Sequence, residues 1–156
     1  MTYKILMIII SAFVVIGGSF LAYKAFTEDP KADPEALEVT MYRGEACECC
    51  VDWAEYLENQ GMTVIDEKVD DLPSIKQEKG VPGSFQSCHT AVVEGYVVEG
   101  HVPSDDILRM VAQQPDAIGI AVPGMPAGSP GMEVGRTDPY NVLLFDNDRY
   151  SVFAEY

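Results

Sequence analysis

The segment Cys47–Cys50, CECC, places three thiols within four residues. The preceding residues, Val39–Arg43, alternate apolar and polar side chains as a strand does. The following residues carry Cys50, Trp53 and Leu57 at the spacing of one apolar helical face. The sequence therefore predicts that the cysteines lie on a turn between a strand and a helix.

This position gives the thiols a chemical role. At a helix N-terminus, unpaired backbone N–H groups and the positive end of the helix dipole favour thiolate over thiol. Thiolate is the form that binds metals and attacks disulfides. Because Cys50 belongs to the apolar face, we expect Cys47 and Cys49 to be the more accessible pair.

The N-terminal residues Ile5–Tyr23 form an almost unbroken apolar run after Lys4. A run of this length can just cross the hydrocarbon layer, which is ~30 Å thick. A secretory signal peptide cleaved near Gly17–Ser19 is the alternative, although the apolar run continues past that point. We expect an uncleaved anchor over residues 1–26, and both alternatives put the rest of the chain beyond the membrane.

The chain beyond this run is strongly acidic. Residues 27–38, TEDPKADPEALE, have the composition of a spacer. All 25 acidic residues lie beyond Thr27, together with only eight Lys or Arg residues, so we expect no nucleic acid partner. The acidity serves either solubility or the attraction of metal cations. Residues 39–156 are enough for one compact domain.

The pattern along this domain predicts a βαβ unit followed by ββα. Met62–Val69 fits a strand and Leu72–Lys79 a short helix, and a further helix follows Pro103. His89–Val93 and Tyr96–Gly100 fit a hairpin turned by a Glu-Gly pair. With cysteines at the N-terminus of the first helix, this is a thioredoxin-like arrangement, and Cys47 and Cys50 have the spacing of a redox motif. The predicted class is therefore α/β with a thioredoxin-like core.

A second group of candidate residues stands at Cys88-His89. Thioredoxin-like proteins have a proline at the start of the third strand, beside the active thiols, and Cys88-His89 takes that place here. A lone Cys or His in a core usually has only a packing role. Facing three more thiols, these two fit metal ligands or redox partners better. His101 follows the next strand. A structural role as a capping residue and a role as a metal ligand are equally compatible with its position.

The Pro- and Gly-rich segment Val122–Glu133 predicts a long irregular loop, which in a compact domain is usually functional. Its Met125 and Met132 are either thioether ligands, which suit Cu(I), or apolar plugs over the thiols. Tyr140–Phe145 and Tyr150–Phe153 predict a closing hairpin.

Together these motifs resemble the CopG-like family of small exported copper-resistance proteins, a domain of unknown function that is distinct from the plasmid repressor of that name. The resemblance covers roughly residues 39–146 and rests on several motifs in order, so it is more specific than a single CxxC. The motifs are Cys47–Cys50 with Trp53, Ser87–Ala91, Gly95-Tyr96, Glu99–Pro103 and the loop Met125–Glu133.

The resemblance implies a thioredoxin-like core that binds copper, as Cu(I) or Cu(II), in copper or silver resistance. By motif position the implied ligands are the thiols of Cys47, Cys49, Cys50 and Cys88, and the imidazoles of His89 and His101. The chain departs from the family at Glu48, where Gly is usual, and at Tyr56, where His is usual.

The resemblance also implies a location and partners. The chain is expected on the periplasmic side of the inner membrane if the N-terminal helix is kept, or in the soluble periplasm if it is cleaved. Its expected partners are copper ions and copper-export or copper-chaperone proteins.

The donor chemistry favours copper independently of the family. Soft thiolates and thioethers select Cu(I), whereas a structural Zn²⁺ ion binds four ligands in a closed tetrahedral site. Three thiols within four residues cannot easily spread around one tetrahedral ion together with Cys88. Thiolates that bridge several Cu(I) ions fit such crowding better.

Three functions remain compatible with the sequence, in this order. The first is a metal-binding protein that sequesters, transfers or redox-cycles copper. The second is a thiol-disulfide oxidoreductase in which Cys47 attacks and Cys50 resolves, although the proline is missing and Glu48 opposes thiolate formation. The third is a domain that two disulfides or one zinc ion stabilise. Disulfides among such closely spaced cysteines, however, close short loops and add little stability.

Overall fold

The computed structural model describes residues 32–34, 37–147 and 149–156. The predicted membrane anchor and most of the predicted linker lie outside these residues. Residues Lys31–Tyr156 form one compact unit. Among the helices in the described ranges, none combines the length and the apolar character that a membrane crossing requires.

Within the described residues, seven strands form one mixed sheet, with three α-helices and a 3-10 helix, so the predicted α/β class is confirmed. The strand order is β2-β1-β3-β4-β5-β6-β7. β1 pairs in parallel with β2, as does β4 with β5, and the other neighbours are antiparallel. The strands are β1 (Glu38–Arg43), β2 (Thr63–Lys68), β3 (His89–Val93), β4 (Tyr96–Glu99), β5 (Gly119–Ala121), β6 (Asn141–Phe145) and β7 (Tyr150–Glu155); the helices are α1 (Glu48–Asn59), α2 (Leu72–Glu78), α3 (Ser104–Gln113) and the 3-10 helix Gly83–Phe85.

Local sequence accounts for the helix boundaries. α1 buries Cys50, Trp53 and Leu57 completely, so its predicted apolar face is confirmed. α2 begins after Asp71, whose carboxylate accepts the backbone N–H of Ser74. Such caps satisfy N–H groups that a helix leaves unpaired at its start.

The helices cover the two faces of the sheet. Alternate strand residues such as Met41, Ala91 and Val98 form the main core with α1 and α3. The opposite face carries a smaller core around Val97 and Phe145, next to α2 and the 3-10 helix. Residues of β3 therefore alternate between the layer that holds the cysteines and the layer that holds α2.

Most of the predicted elements are present. The β3–β4 hairpin turns at Glu94 and Gly95, both with positive φ as its tight turn requires. The Val122–Glu133 segment is irregular as expected. The sequence analysis did not anticipate β5, a strand of only three residues; through it the C-terminal β6–β7 hairpin joins the sheet.

The close contact of β5 with β4 gives a stability prediction. A Cβ added at Gly119 would lie 1.9 Å from the Val97 carbonyl oxygen, while one added at Gly83 would meet nothing within 4 Å. We expect Gly119→Ala to lower the free energy of unfolding by about 3 kcal/mol or more, because overpacking forces the backbone apart. Gly83→Ala, the control, should change it by less than about 1 kcal/mol. Urea denaturation measures both, and equal stability of the two variants would contradict the β4–β5 pairing.

Candidate metal centre

The first half of the site is the turn between β1 and α1. Arg43, at the end of β1, is buried and forms two hydrogen bonds with the Asp66 carboxylate on β2, at 2.7 and 2.6 Å. Its guanidinium also donates to the carbonyl oxygens of Gly44 and Glu45. Arg43 thus fixes the turn that places Cys47 at the N-cap of α1, directly before its first residue Glu48, a role that the sequence did not indicate.

The second half of the site is the start of β3. In the antiparallel β1–β3 ladder Arg43 is opposite His89, so Cys88 arrives beside the β1–α1 turn. The Cys49 sulfur lies 3.7 Å from the Cys47 sulfur and 3.7 Å from the Cys88 sulfur. All four cysteine sulfurs lie within 4.8 Å of one another, which is the grouping expected from the sequence.

Two of the four sulfurs are joined. Cys47 and Cys50 form a disulfide with a Cα–Cα distance of 5.3 Å, while Cys49 and Cys88 carry free thiols. Cys50 is fully buried, and Cys47 and Cys49 are partly exposed, which confirms the expected difference in accessibility. As metal ligands, Cys47 and Cys50 require prior reduction of this bond.

His101 lies against the Cys88 thiol in a defined tautomer. Its Nδ1 is 2.8 Å from the Pro130 carbonyl oxygen, which can only accept, so Nδ1 carries the proton. Its Nε2 therefore presents a lone pair to the Cys88 sulfur, 3.0 Å away. A ring nitrogen oriented by a backbone carbonyl is typical of histidine ligands in metal sites.

His89 is buried on the other side of Cys88. Its Nδ1 lies 3.3 Å from the Cys88 sulfur, and its ring lies 4.4 Å from the Trp53 ring between centroids. Its Nε2 is buried without a hydrogen-bond partner. Cys88, His89 and His101 form a second group of candidate ligands that shares Cys88 with the four sulfurs.

Burial keeps these groups uncharged. Desolvation, reinforced by neighbouring Cys49, raises the pKa of the Cys88 thiol to about 12. Desolvation also lowers the pKa of His101, and it lowers the pKa of His89 well below its usual value, assisted by nearby His101 and Lys76. At neutral pH the centre therefore contains a Cys88 thiol and two neutral imidazoles, which are good metal ligands once the thiol loses its proton.

The loop Val122–Glu133 closes over the centre from the C-terminal side. The Pro130 carbonyl binds His101, and the Gly124 carbonyl accepts the Ser87 hydroxyl next to Cys88. Gly131 has a φ of +78° and lies so close to α1 that an added Cβ would be 2.7 Å from the Trp53 nitrogen. The loop is therefore seated directly on the first turns of the helix that carries the cysteines.

The two loop methionines differ in exposure. Met125 is 53% exposed, so it does not fill a buried space as the plug interpretation requires. Met132 is half-buried, and its backbone is tied within the loop to Gly128 and Ser129.

The two departures from the family motif lie outside the ligand group. Glu48 is exposed at the start of α1. The Tyr56 hydroxyl is 2.9 Å from the Ser104 hydroxyl and accepts the Ser104 backbone N–H at the start of α3. Tyr56 therefore caps a helix rather than extending the metal centre.

Gly131 allows a test of the loop as a cover. Gly131→Ala and Gly135→Ala both put alanine at a positive φ, +78° and +80°, but a Cβ at Gly135 meets nothing within 4 Å. Both variants should carry the same backbone cost of about 1–2 kcal/mol. Only Gly131→Ala should lift the loop from α1, and we expect maleimide labelling of Cys49 and Cys88 to accelerate about tenfold in that variant. Equal labelling rates in the two variants would contradict the covering role.

Comparisons with known proteins agree with this arrangement. The family model described as "Protein of unknown function, DUF411" matches residues 85–132, which include Cys88, both histidines and most of the loop. No curated protein matches the chain. Two solved structures of a copper resistance protein CopG are similar to it. Form 2 has 47% sequence identity and a TM-score of 0.74, over 77% of this chain and 98% of that one. Form 1 has 46% identity and a TM-score of 0.74, over 80% and 98%. The chain therefore belongs to the family of the copper resistance protein CopG.

Proposed function

We propose that the chain is an extracytoplasmic copper-binding protein that holds Cu(I) on a cluster of cysteine thiolates, in copper or silver resistance. The observation that carries the proposal is the convergence of the four cysteine sulfurs within 4.8 Å of one another, from two segments 38 or more residues apart in sequence. A redox motif of Cys47 and Cys50 does not require Cys49 and Cys88 to lie at this distance. A metal cluster bridged by thiolates does require all four sulfurs to lie close together.

The nature of the ligands supports Cu(I), but sulfur spacing alone does not exclude zinc. Two sulfurs of a tetrahedral Zn²⁺ site are about 3.8 Å apart, given Zn–S bonds of about 2.3 Å. The 3.7 Å separations would accept that geometry as well. Soft thiolates select Cu(I), and the two similar structures are of a protein named for copper resistance. Zinc is therefore the competing ion in the experiment below.

The finer features of the fold and location belong to the same proposal. We interpret β1-α1-β2, followed by β3-β4-α3, as a thioredoxin-like core with β5–β7 and the loop as an addition. The apolar run Ile5–Tyr23 would hold this unit at the periplasmic face of the inner membrane, or direct its export. Copper-export or copper-chaperone proteins would then be its partners.

Anaerobic titration of the reduced chain with Cu(I) tests the proposal. We expect more than one tightly bound Cu(I), with all four thiols protected from labelling, because thiolates bridge adjacent ions. Cys88→Ser should remove most of this copper and leave the circular dichroism spectrum unchanged, since serine fits the space of cysteine. Met125→Leu is the control, because an exposed side chain without a ligand role leaves the stoichiometry unchanged.

Other results would contradict the proposal. Saturation of all four thiols by one Zn²⁺, with no more than one Cu(I) bound, would make the centre a structural zinc site. Unchanged copper stoichiometry in Cys88→Ser would reject a shared site between α1 and β3. Loss of one copper in Met125→Leu would add that methionine to the ligands.

The raised pKa of the Cys88 thiol predicts a pH dependence. Because that pKa is about 12, Cu(I) must displace a proton from Cys88 at every pH near neutrality. Each proton displaced weakens the apparent affinity about tenfold for each pH unit of acidification. In competition with a Cu(I) chelator of known protonation, log Kd should fall with rising pH, and its slope should be less steep by about one for Cys88→Ser than for the parent chain. Identical slopes would mean that copper does not replace the Cys88 proton.

A second candidate function, thiol-disulfide oxidoreductase, is favoured by the Cys47–Cys50 disulfide. Cys47 is partly exposed and Cys50 is fully buried, as an attacking and a resolving cysteine would be. In that reaction two electrons from a substrate dithiol reduce the Cys47–Cys50 bond, and the substrate becomes a disulfide. Weak copper binding combined with reversible cycling of this pair against a disulfide substrate would favour the oxidoreductase over the copper-binding protein.

A further inference from the structure

A buried ion pair lies behind the metal centre, in the layer on the opposite face of the sheet. Lys76 of α2 and Glu99 of β4 have side chains only 5% and 0% exposed, and Lys76 Nζ is 2.5 Å from Glu99 Oε1. The proposed copper function does not use either residue. Glu99 nevertheless belongs to the Glu99–Pro103 motif that the family resemblance includes.

This pair is not explained as a source of stability. Removing two charges from water costs several kcal/mol for each ion, and apolar residues of similar volume often stabilise a protein as well or better. A buried pair that persists in spite of this cost often fixes a particular arrangement. The arrangement fixed here can be identified from the remaining hydrogen bonds of the carboxylate.

The Glu99 carboxylate holds both sides of Cys88-His89. Its Oε1 accepts the backbone N–H of Ser87 at 2.6 Å, and its Oε2 accepts the Thr90 hydroxyl at 2.6 Å. Lys76 orients the carboxylate, because its Nζ donates to Glu99 Oε1 and, at 2.9 Å, to the Thr90 hydroxyl oxygen. A single side chain therefore fixes the residue before Cys88 and the residue after His89.

We propose that Glu99, oriented by Lys76, is a positioning residue that fixes the backbone of Ser87–Thr90 and thereby sets the Cys88 sulfur at its distance from Cys49. The consequence for copper binding rests on the function proposed above, but the positioning itself does not. Glu99 touches neither the sulfurs nor a bound ion. It acts through the Ser87 N–H and the Thr90 hydroxyl, from the far face of the sheet.

Two uncharged variants of the full chain separate positioning from simple stabilisation. In Lys76→Met with Glu99→Gln, the glutamine oxygen can still accept the Ser87 N–H and its amide nitrogen can donate to the Thr90 hydroxyl. In Lys76→Met with Glu99→Met and Thr90→Val, the Ser87 N–H has no acceptor while the layer stays filled. Both variants lack the ion pair, so they differ in the hydrogen bonds that hold Ser87 and Thr90.

The first measurement needs no metal. With Cys47→Ser and Cys50→Ser as background, glutathione disulfide oxidises the Cys49 and Cys88 thiols to one protein disulfide and is itself reduced to two glutathione thiols. The equilibrium constant reports how well Cys88 is held near Cys49. We expect the equilibrium constant of the glutamine variant to match that of the parent within about threefold. The constant of the apolar variant should fall at least about tenfold, which is the usual effect of removing a residue that holds a ligand in place. Thermal unfolding should show the apolar variant to be folded.

If the apolar variant does not fold, Thr90→Val alone carries the test. It removes the Thr90 hydroxyl, one of the two groups on either side of Cys88-His89 that the carboxylate holds, at almost constant volume, and we expect a fall of about threefold in the same constant. A folded apolar variant, or Thr90→Val, with the parent's constant would overturn the proposal. An equal loss in the glutamine and apolar variants would also overturn it, because the charge and not the hydrogen-bond geometry would then be what matters.

Copper binding by the same variants, with all four cysteines restored, completes the experiment. We expect the apolar variant to bind Cu(I) about tenfold more weakly than the glutamine variant. If the unmodified chain binds no Cu(I) while the glutathione constants differ as expected, the copper function fails and the positioning role of Glu99 stands. If copper binds normally in every variant and the constants do not differ, the positioning role fails and the copper function stands.

Discussion

The antiparallel pairing of β1 with β3 is the contact on which the candidate metal centre depends. Neither half of the cysteine set is complete without the other, because Cys47, Cys49 and Cys50 follow β1 and Cys88 precedes β3. The register that puts Arg43 opposite His89 brings the end of one strand beside the start of the other. A shift of one residue would turn His89, the first residue of β3, to the other face of the sheet, away from Trp53 of α1.

The strand directions gather the other components of the centre at the same end of the sheet. β4 runs antiparallel to β3, so it ends where β3 begins and delivers His101 there. β5 is parallel to β4 and β6 is antiparallel to β5, so the irregular segment between them leaves and returns at this end. β5 and β6 thereby anchor both ends of the loop that supplies the Pro130 carbonyl. The unanticipated strand is thus part of how the centre is covered.

The sequence predicted the parts of this structure that local patterns encode. The period of Cys50, Trp53 and Leu57 gave α1, and the Glu94-Gly95 turn gave the β3–β4 hairpin, because both signals lie within a few residues. The convergence of Cys88 with the other cysteines was expected because Cys88-His89 takes the place of the proline that thioredoxin-like proteins have beside the active thiols, and it is confirmed. β5 has too few residues to show a periodic pattern. It can pair with β4 because Gly119, which has no side chain, lies directly against the Val97 backbone.

The supporting contacts of the centre could not be predicted in the same way. Arg43 with Asp66, and Lys76 with Glu99, are charged residues that a sequence pattern assigns to the surface. Arg43, Lys76 and Glu99 are nevertheless buried, because each meets its partner across an interface between separate elements. The tautomer of His101 likewise depends on a carbonyl 29 residues away. Such pairs follow from the tertiary structure, and no local period reveals them.

The electrostatic state of the centre bears on which metal it suits. The raised pKa of the Cys88 thiol, about 12, and the lowered pKa values of the His89 and His101 imidazoles keep these three groups uncharged before a metal binds. When each thiol proton that is lost is replaced by one Cu(I), the local charge stays unchanged, whatever the number of thiols. In the chain with the Cys47–Cys50 disulfide reduced, replacing four thiol protons by one Zn²⁺ leaves two uncompensated negative charges, and the formal net charge of the chain is already −15. Because uncompensated buried charge is costly and repulsion within an acidic chain adds to it, this charge balance supports the proposal that the cluster holds Cu(I), one ion for each thiol, rather than Zn²⁺.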